Sequence, residues 1–160
     1  MAKQAPLPPL KIAWHAALIG GIVLGLGMLG AHYLAEWLAG TFPNSYLKIR
    51  LGLLLFITWL SVSAVVRSIH RTRKSIAFGI LLLGALLTAL IGTVLFHIGL
   101  AILFKTSVFS DWSVFATAGV VGLLTGLLTA INLKVSNRLL GNLLEIAVVA
   151  AVVALFFLTL

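Results

Sequence analysis

The sequence predicts an all-α membrane protein: five transmembrane helices in a compact up-and-down bundle, with the N-terminus cytoplasmic and the C-terminus outside. Three observations lead there. Apolar runs at 12–39, 48–67, 75–104, 112–134 and 139–160 fill almost all of the 160 residues. Each run has the ~20 residues that a helix needs to cross about 30 Å of hydrocarbon. Hydrophobic residues make up 62% of the chain and charged residues 9%, with a mean hydropathy of +1.22, whereas soluble domains devote about 25% to charge. The connections of about 4 to 8 residues leave no room for a soluble domain and force consecutive helices to lie antiparallel.

Residues 1–11 hold Pro6, Pro8 and Pro9, which suit an extended cytoplasmic lead-in; residues 12–160 then form a single membrane domain. Lys3 and Lys11 before an apolar run resemble a signal peptide, but the run is too long for a signal core, and Glu36 and Trp37 fall where cleavage would occur. The first run therefore reads as an uncleaved helix. Tyr33 and Trp37 mark its outer end, where amphipathic rings meet headgroups. Gly40-Thr41-Phe42-Pro43-Asn44-Ser45 reads as a tight turn. The second run returns to Arg67, and a basic loop follows, with Thr72 or Ser75 as candidate caps of the third helix. Lys105 to Asp111 makes another short turn, ending at the interfacial Trp112. The fourth and fifth helices meet at Ser136-Asn137-Arg138, and beyond Ala147 the fifth has no polar residue except Thr159. That bareness suits a surface facing lipid or a partner.

Charge sets the expected orientation. Of the 11 Lys and Arg, Lys3, Lys11, Arg67, Arg71, Arg73, Lys74, Lys134 and Arg138 fall on one side; Lys48, Arg50 and Lys105 fall on the other. This is the positive-inside asymmetry of a multi-pass protein of the bacterial cytoplasmic (inner) membrane. Arg67, Arg71, Arg73 and Lys74 are expected to meet anionic lipid headgroups. The net charge of +8 does not indicate nucleic acid, because no stacking aromatics accompany the basic loop. With no cysteine, disulfides, thiol catalysis and Cys-ligated metals are excluded.

Glycine carries the packing signal. Gly21-xxx-Gly25 in the first helix and Gly122-xxx-Gly126 in the fourth allow close backbone approach. The expectation is packing of these two helices on each other, or a homo-oligomer or larger complex that uses one of the faces. A shift that lays His32 on His97 also lays Gly27 on Gly92, Thr41 on Thr106, Ser45 on Ser110 and Arg73 on Arg138. This is a weak sign of a duplicated helix hairpin.

Two sets of polar residues are candidate sites. His32 and His97 lie at similar depth on the first and third helices. They read as hydrogen-bonded interfacial residues, as axial ligands of a haem b or a chlorophyll-type pigment, or as part of a proton or substrate path, with Glu36, one turn beyond His32, orienting its ring. Glu145 lies two turns into the fifth helix, near Asn142, where an ionised carboxylate needs a partner. Arg138 on the same face, with Asn132 or Lys134 from the fourth helix, is the expected company. The centre reads as a structural pair or as a proton- or ion-coupling site. The remaining Ser and Thr residues are expected to bond their own helix backbone. Glu36 and Asp111 sit near one surface and Glu145 near the other, so paired-acid chemistry is not expected and the protein reads as a non-enzyme.

Lys11-Ile12-Ala13, Leu18-Ile19-Gly20-Gly21 and Ser75-Ile76-Ala77-Phe78-Gly79 are similar, over a small part of the chain, to segments of small uncharacterised membrane proteins of Bacteroidota. The fifth run and the short outer turns depart from that pattern, and the resemblance implies no activity. The leading expectation is a non-enzymatic subunit or scaffold of a larger membrane complex. The alternatives are a haem b subunit of a quinone-linked electron-transfer system and a small proton-coupled transporter using Glu145.

Overall fold

In the computed structural model, residues 8–42, 45–105, 112–135 and 137–159 are described. They form five helices: α1 (Pro9–Ala39), α2 (Tyr46–Thr72), α3 (Phe78–Phe104), α4 (Ser113–Asn132) and α5 (Arg138–Thr159). Helices α1 to α4 are long and apolar enough to cross a membrane, whereas the apolar segment of α5 among the described residues is the shorter Leu139–Val152.

The helix ends depart from the sequence expectation for local reasons. α1 begins at Pro9, inside the segment expected to be extended. Proline suits the first helical position because its missing N–H has no partner there anyway. The Pro8 carbonyl accepts the amides of Lys11 and Ile12 at 3.0 and 3.2 Å. α2 runs a turn past Arg67, so Arg67 and Arg71 are helical and only Arg73 and Lys74 remain in the turn. Thr72 donates its hydroxyl back to the Ser68 carbonyl at 2.9 Å, and the N-cap of α3 is Ala77, without a side-chain bond. Neither Thr72 nor Ser75 is therefore the cap. α3 stops at Lys105, whose φ of 55° is left-handed. α5 is capped by Asn137, whose Oδ1 accepts the amides of Leu139 and Leu140 at 3.1 and 3.3 Å.

Packing centres on α3. α1 and α4 both lie against it, and among the described residues they do not touch each other. The expected pairing of their glycine faces is thus corrected. Gly21 and Gly25 abut Ile91, Gly92 and Leu95, while Gly122 and Gly126 abut Ala89 and Ala85 on another side of α3. A side chain at any of these glycines would overlap its neighbour, so small residues set the helix separation. Ala13, Val66, Ile69, Leu81, Ala85 and Ala130 form one buried cluster. It joins the start of α1, the end of α2, the start of α3 and the end of α4, so these helices alternate in direction. Leu24, Met28 and Phe96 form a second cluster further along.

The outer surface is apolar: Ile19, Leu26 and Ile102 are among its exposed side chains. Trp14, Trp37 and Trp112 are exposed towards helix ends, as in interfacial belts. Among the described residues α5 touches only α2 and α4. Among its residues with described burial, only Gly141 and Glu145 are buried.

Candidate functional site

Glu145 is the most deeply buried charged side chain described, 1% exposed, and the stripes of three helices explain how it is held. On α2, Trp59, Ser63 and Arg67 recur every four residues, which stacks them on one face. On α4, Thr129 and Asn132 share a face by the same rule. Glu145 enters between the two from α5. Its Oε1 accepts the Trp59 indole N–H at 3.1 Å and the hydroxyls of Ser63 and Thr129 at 2.8 and 2.9 Å. Its Oε2 accepts the Arg67 guanidinium at 2.6 Å and the Asn132 amide. Asn142 Oδ1 closes the centre by accepting from Arg67 and Asn132, both at 3.3 Å.

All the groups aimed at Glu145 are donors, which suits a carboxylate. Ser63 and Thr129 also lie 2.8 Å from each other. Two hydroxyl protons therefore serve three oxygen–oxygen contacts, and one contact lacks a proton while Glu145 is ionised. Gly141 makes the geometry accessible. A Cβ there would overlap Asn132 Oδ1, so the bare backbone lets that oxygen rest against α5 while Nδ2 faces the carboxylate. A cavity of about 310 Å³ lies alongside, with Leu60, Ala64, Arg67, Asn142 and Ile146 in its lining.

Of the expected partners, Asn142 and Asn132 are present. The cation is Arg67 of α2, which was assigned to the basic loop and to lipid headgroups; the Arg138 side chain lies outside the described residues. Lys134 instead places its Nζ 5.2 Å from the centre of the Phe78 ring. Thr58 and Thr88 do bond their own backbones, at 2.7 Å to the Leu54 and Gly84 carbonyls. Ser63 and Thr129 do not, because Glu145 offers a stronger acceptor.

The histidines meet at one level through Phe96. The His32 ring lies 6.3 Å from Phe96 and 5.1 Å from Phe104; the His97 ring lies 5.3 Å from Phe96 and 5.5 Å from Phe115. Phe96 therefore packs near both imidazoles, one of them its own chain neighbour. Glu36 makes no direct hydrogen bond to His32. Its carboxylate is 3.9 Å from His32 Nε2, beyond hydrogen-bond range, and accepts instead from the Tyr46 hydroxyl. His32 Nδ1 is buried without a partner among the described residues. Among those residues no cluster of three His, Cys, Asp or Glu suits a metal ion. Asp111 lies outside the described residues.

Comparison with known protein families, with characterised proteins and with solved structures returns no match.

Proposed function

We propose that this chain is a non-enzymatic subunit or scaffold of a larger assembly in a bacterial cytoplasmic membrane, and that α5 is its interaction helix. One observation carries the reading. α5 is fastened to the bundle through Glu145 on a narrow stripe, while Leu139, Leu140, Leu143, Leu144 and Ile146 face outward. Lipid exposure alone explains apolar outward residues. It does not explain why a helix with so little packing is secured by a buried ion pair, which is costly in hydrocarbon and serves to define one position and register. A partner that reads the outer face of α5 needs that position defined.

The orientation proposed is N-terminus cytoplasmic and C-terminus outside, with α5 as a fifth crossing. Lys11, Arg71, Arg73, Lys74 and Lys134 belong to helix ends that meet in one half of the bundle, with Lys48, Arg50 and Lys105 at the other, which supports this. Arg71, Arg73 and Lys74 then meet anionic headgroups.

The test is site-specific photocrosslinking in native membranes at Leu140, Leu143 and Ile146, with Leu26 and Ile102 on α1 and α3 as controls. One discrete protein adduct from α5 positions and none from the controls supports the reading. A monomer in native nanodiscs, crosslinked only to lipid at every position, ends it. A second reading, a proton-coupled carrier, draws on the unfilled proton position between Ser63, Thr129 and Glu145. Glu145→Gln would then abolish proton flux in liposomes while leaving the fold intact, and unchanged flux would end that idea.

A further inference from the structure

Away from the Glu145 centre, α2, α3 and α4, with Met28 of α1, line a second cavity of about 390 Å³. Its lining is mostly apolar, including Met28, Leu51, Leu54, Phe96, Val114 and Val121. The polar side chains in it differ in what they have left to offer. Thr58 spends its proton on the Leu54 carbonyl at 2.7 Å. His97 Nδ1 lies 2.8 Å from the Thr93 carbonyl. A carbonyl only accepts, so Nδ1 carries a proton and is spent on that bond.

Arg50 is different. Its one hydrogen bond among the described residues is a long contact, 3.5 Å, to the Tyr46 hydroxyl, and Tyr46 directs its own proton to Glu36. Glu36 does not line the cavity. A half-buried guanidinium with a single long hydrogen bond among the described residues thus faces an apolar space large enough for a small ligand.

We propose that this cavity binds an amphiphile with one carboxylate and a single apolar chain or ring. The carboxylate sits on the Arg50 fork, and the apolar part lies between α2 and α4. Three arguments select that chemistry. The guanidinium matches a carboxylate with two parallel hydrogen bonds, a geometry that Lys cannot reproduce. Among the described residues the lining holds one fixed cation, which a monoanion balances, whereas a phosphate monoester would bring surplus charge into apolar surroundings. A cavity of this volume accepts one chain or ring, not the body of a two-chain lipid. The Glu145 centre is separate: its carboxylate is already saturated with donors, and none of its residues lines this cavity.

The experiment is native mass spectrometry of the full chain in a non-ionic detergent, titrated with dodecanoic acid, dodecanol and a single-chain lysophosphatidate. The expected result is one dodecanoate per chain and weaker binding of the alcohol. Arg50→Gln is expected to weaken the acid by between about tenfold and a hundredfold, the worth of a charge-assisted bond, without weakening the alcohol. Ala118→Phe fills the cavity and is expected to remove both ligands. Arg50→Lys keeps the charge without the fork, and intermediate affinity there decides the matter should the Gln variant not elute as a folded species. Equal binding of acid and alcohol, unchanged acid binding in both Arg50 variants, or lysophosphatidate binding as tightly as the acid would each overturn the proposal.

Discussion

Replacing Glu145 with Leu should release α5 from the bundle. The substitution is close in volume, so little cavity is made, but Trp59, Ser63, Thr129, Asn132 and Arg67 all lose an acceptor. Interhelical hydrogen bonds in membranes contribute about 0.6 kcal/mol each on average, so the four neutral donors together account for about 2 kcal/mol. Breaking a fully buried ion pair costs more, but Arg67 is 31% exposed and can turn its guanidinium to the headgroups. Its share is discounted to about 1 kcal/mol. The helix is then destabilised by about 3 kcal/mol, more than a hundredfold in its docking equilibrium. Since the chain has no cysteine, spin labels can be placed by single substitutions at Leu60 on α2 and Leu144 on α5, both exposed. Wild type should give one narrow distance distribution, and Glu145→Leu a broad one. The melting temperature should fall by about 6–12 °C, at 2–4 °C per kcal/mol for a chain of this size. A narrow distribution with an unchanged melting temperature would refute the reasoning: α5 would be held by its apolar contacts.

Arg67→Met should destabilise through the carboxylate it strands, and Arg67→Met with Glu145→Leu should cost less than the two single effects combined, as a double-mutant cycle will report. Glu145→Gln should be milder, about 1 kcal/mol. Its oxygen can stay towards Arg67 and Asn132, and its amide can donate to Ser63 and Thr129, which leaves only Trp59 without an acceptor. Quenching of the Trp59 indole emission tracks that loss. Gly141→Ala should cost about 1–2 kcal/mol by pushing Asn132 off the carboxylate, and thermal melts should show the penalty largely gone in an Asn132→Ala background. Gly126→Ala should cost about 1–3 kcal/mol by pressing on Ala85; Ala85→Gly should restore much of it in the same assay. Lys105→Gly should raise stability by up to about 1 kcal/mol, because glycine adopts the left-handed end of α3 without strain.

Much of the Glu145 centre could be read in the residues before folding. Asn142 and Asn132 were expected because they lie near Glu145 along the chain. Trp59, Ser63 and Arg67 were missed, although a polar residue every four positions in an otherwise apolar helix is a visible stripe. Arg67 was misplaced because the basic run 67–74 resembles a loop, and only the extra turn of α2 puts its guanidinium opposite α5. His32 and Glu36 differ from the expectation in one respect, the missing direct hydrogen bond. One turn apart on a helix, they have the spacing for a bond, but the carboxylate is drawn outward to Tyr46, ten residues away along the chain. Gly141 had no signal of its own, since its role exists only where α4 passes close by.

The sequence by itself determined that this is an all-helical chain, where its four helices long and apolar enough to cross a membrane lie, and that those four alternate in direction. Those properties follow from the local length of apolar runs against the thickness of a bilayer, and from short connections. Tertiary structure decided that α3, not α1 or α4, is the centre on which both glycine faces pack. It also decided that Glu145 meets Arg67, and that Phe96 stands in contact with both histidines. In lipid no hydrophobic force selects one helix pairing over another, so partner choice rests on backbone approach and on which donors reach a buried acceptor. Both are properties of surfaces brought together from distant parts of the chain.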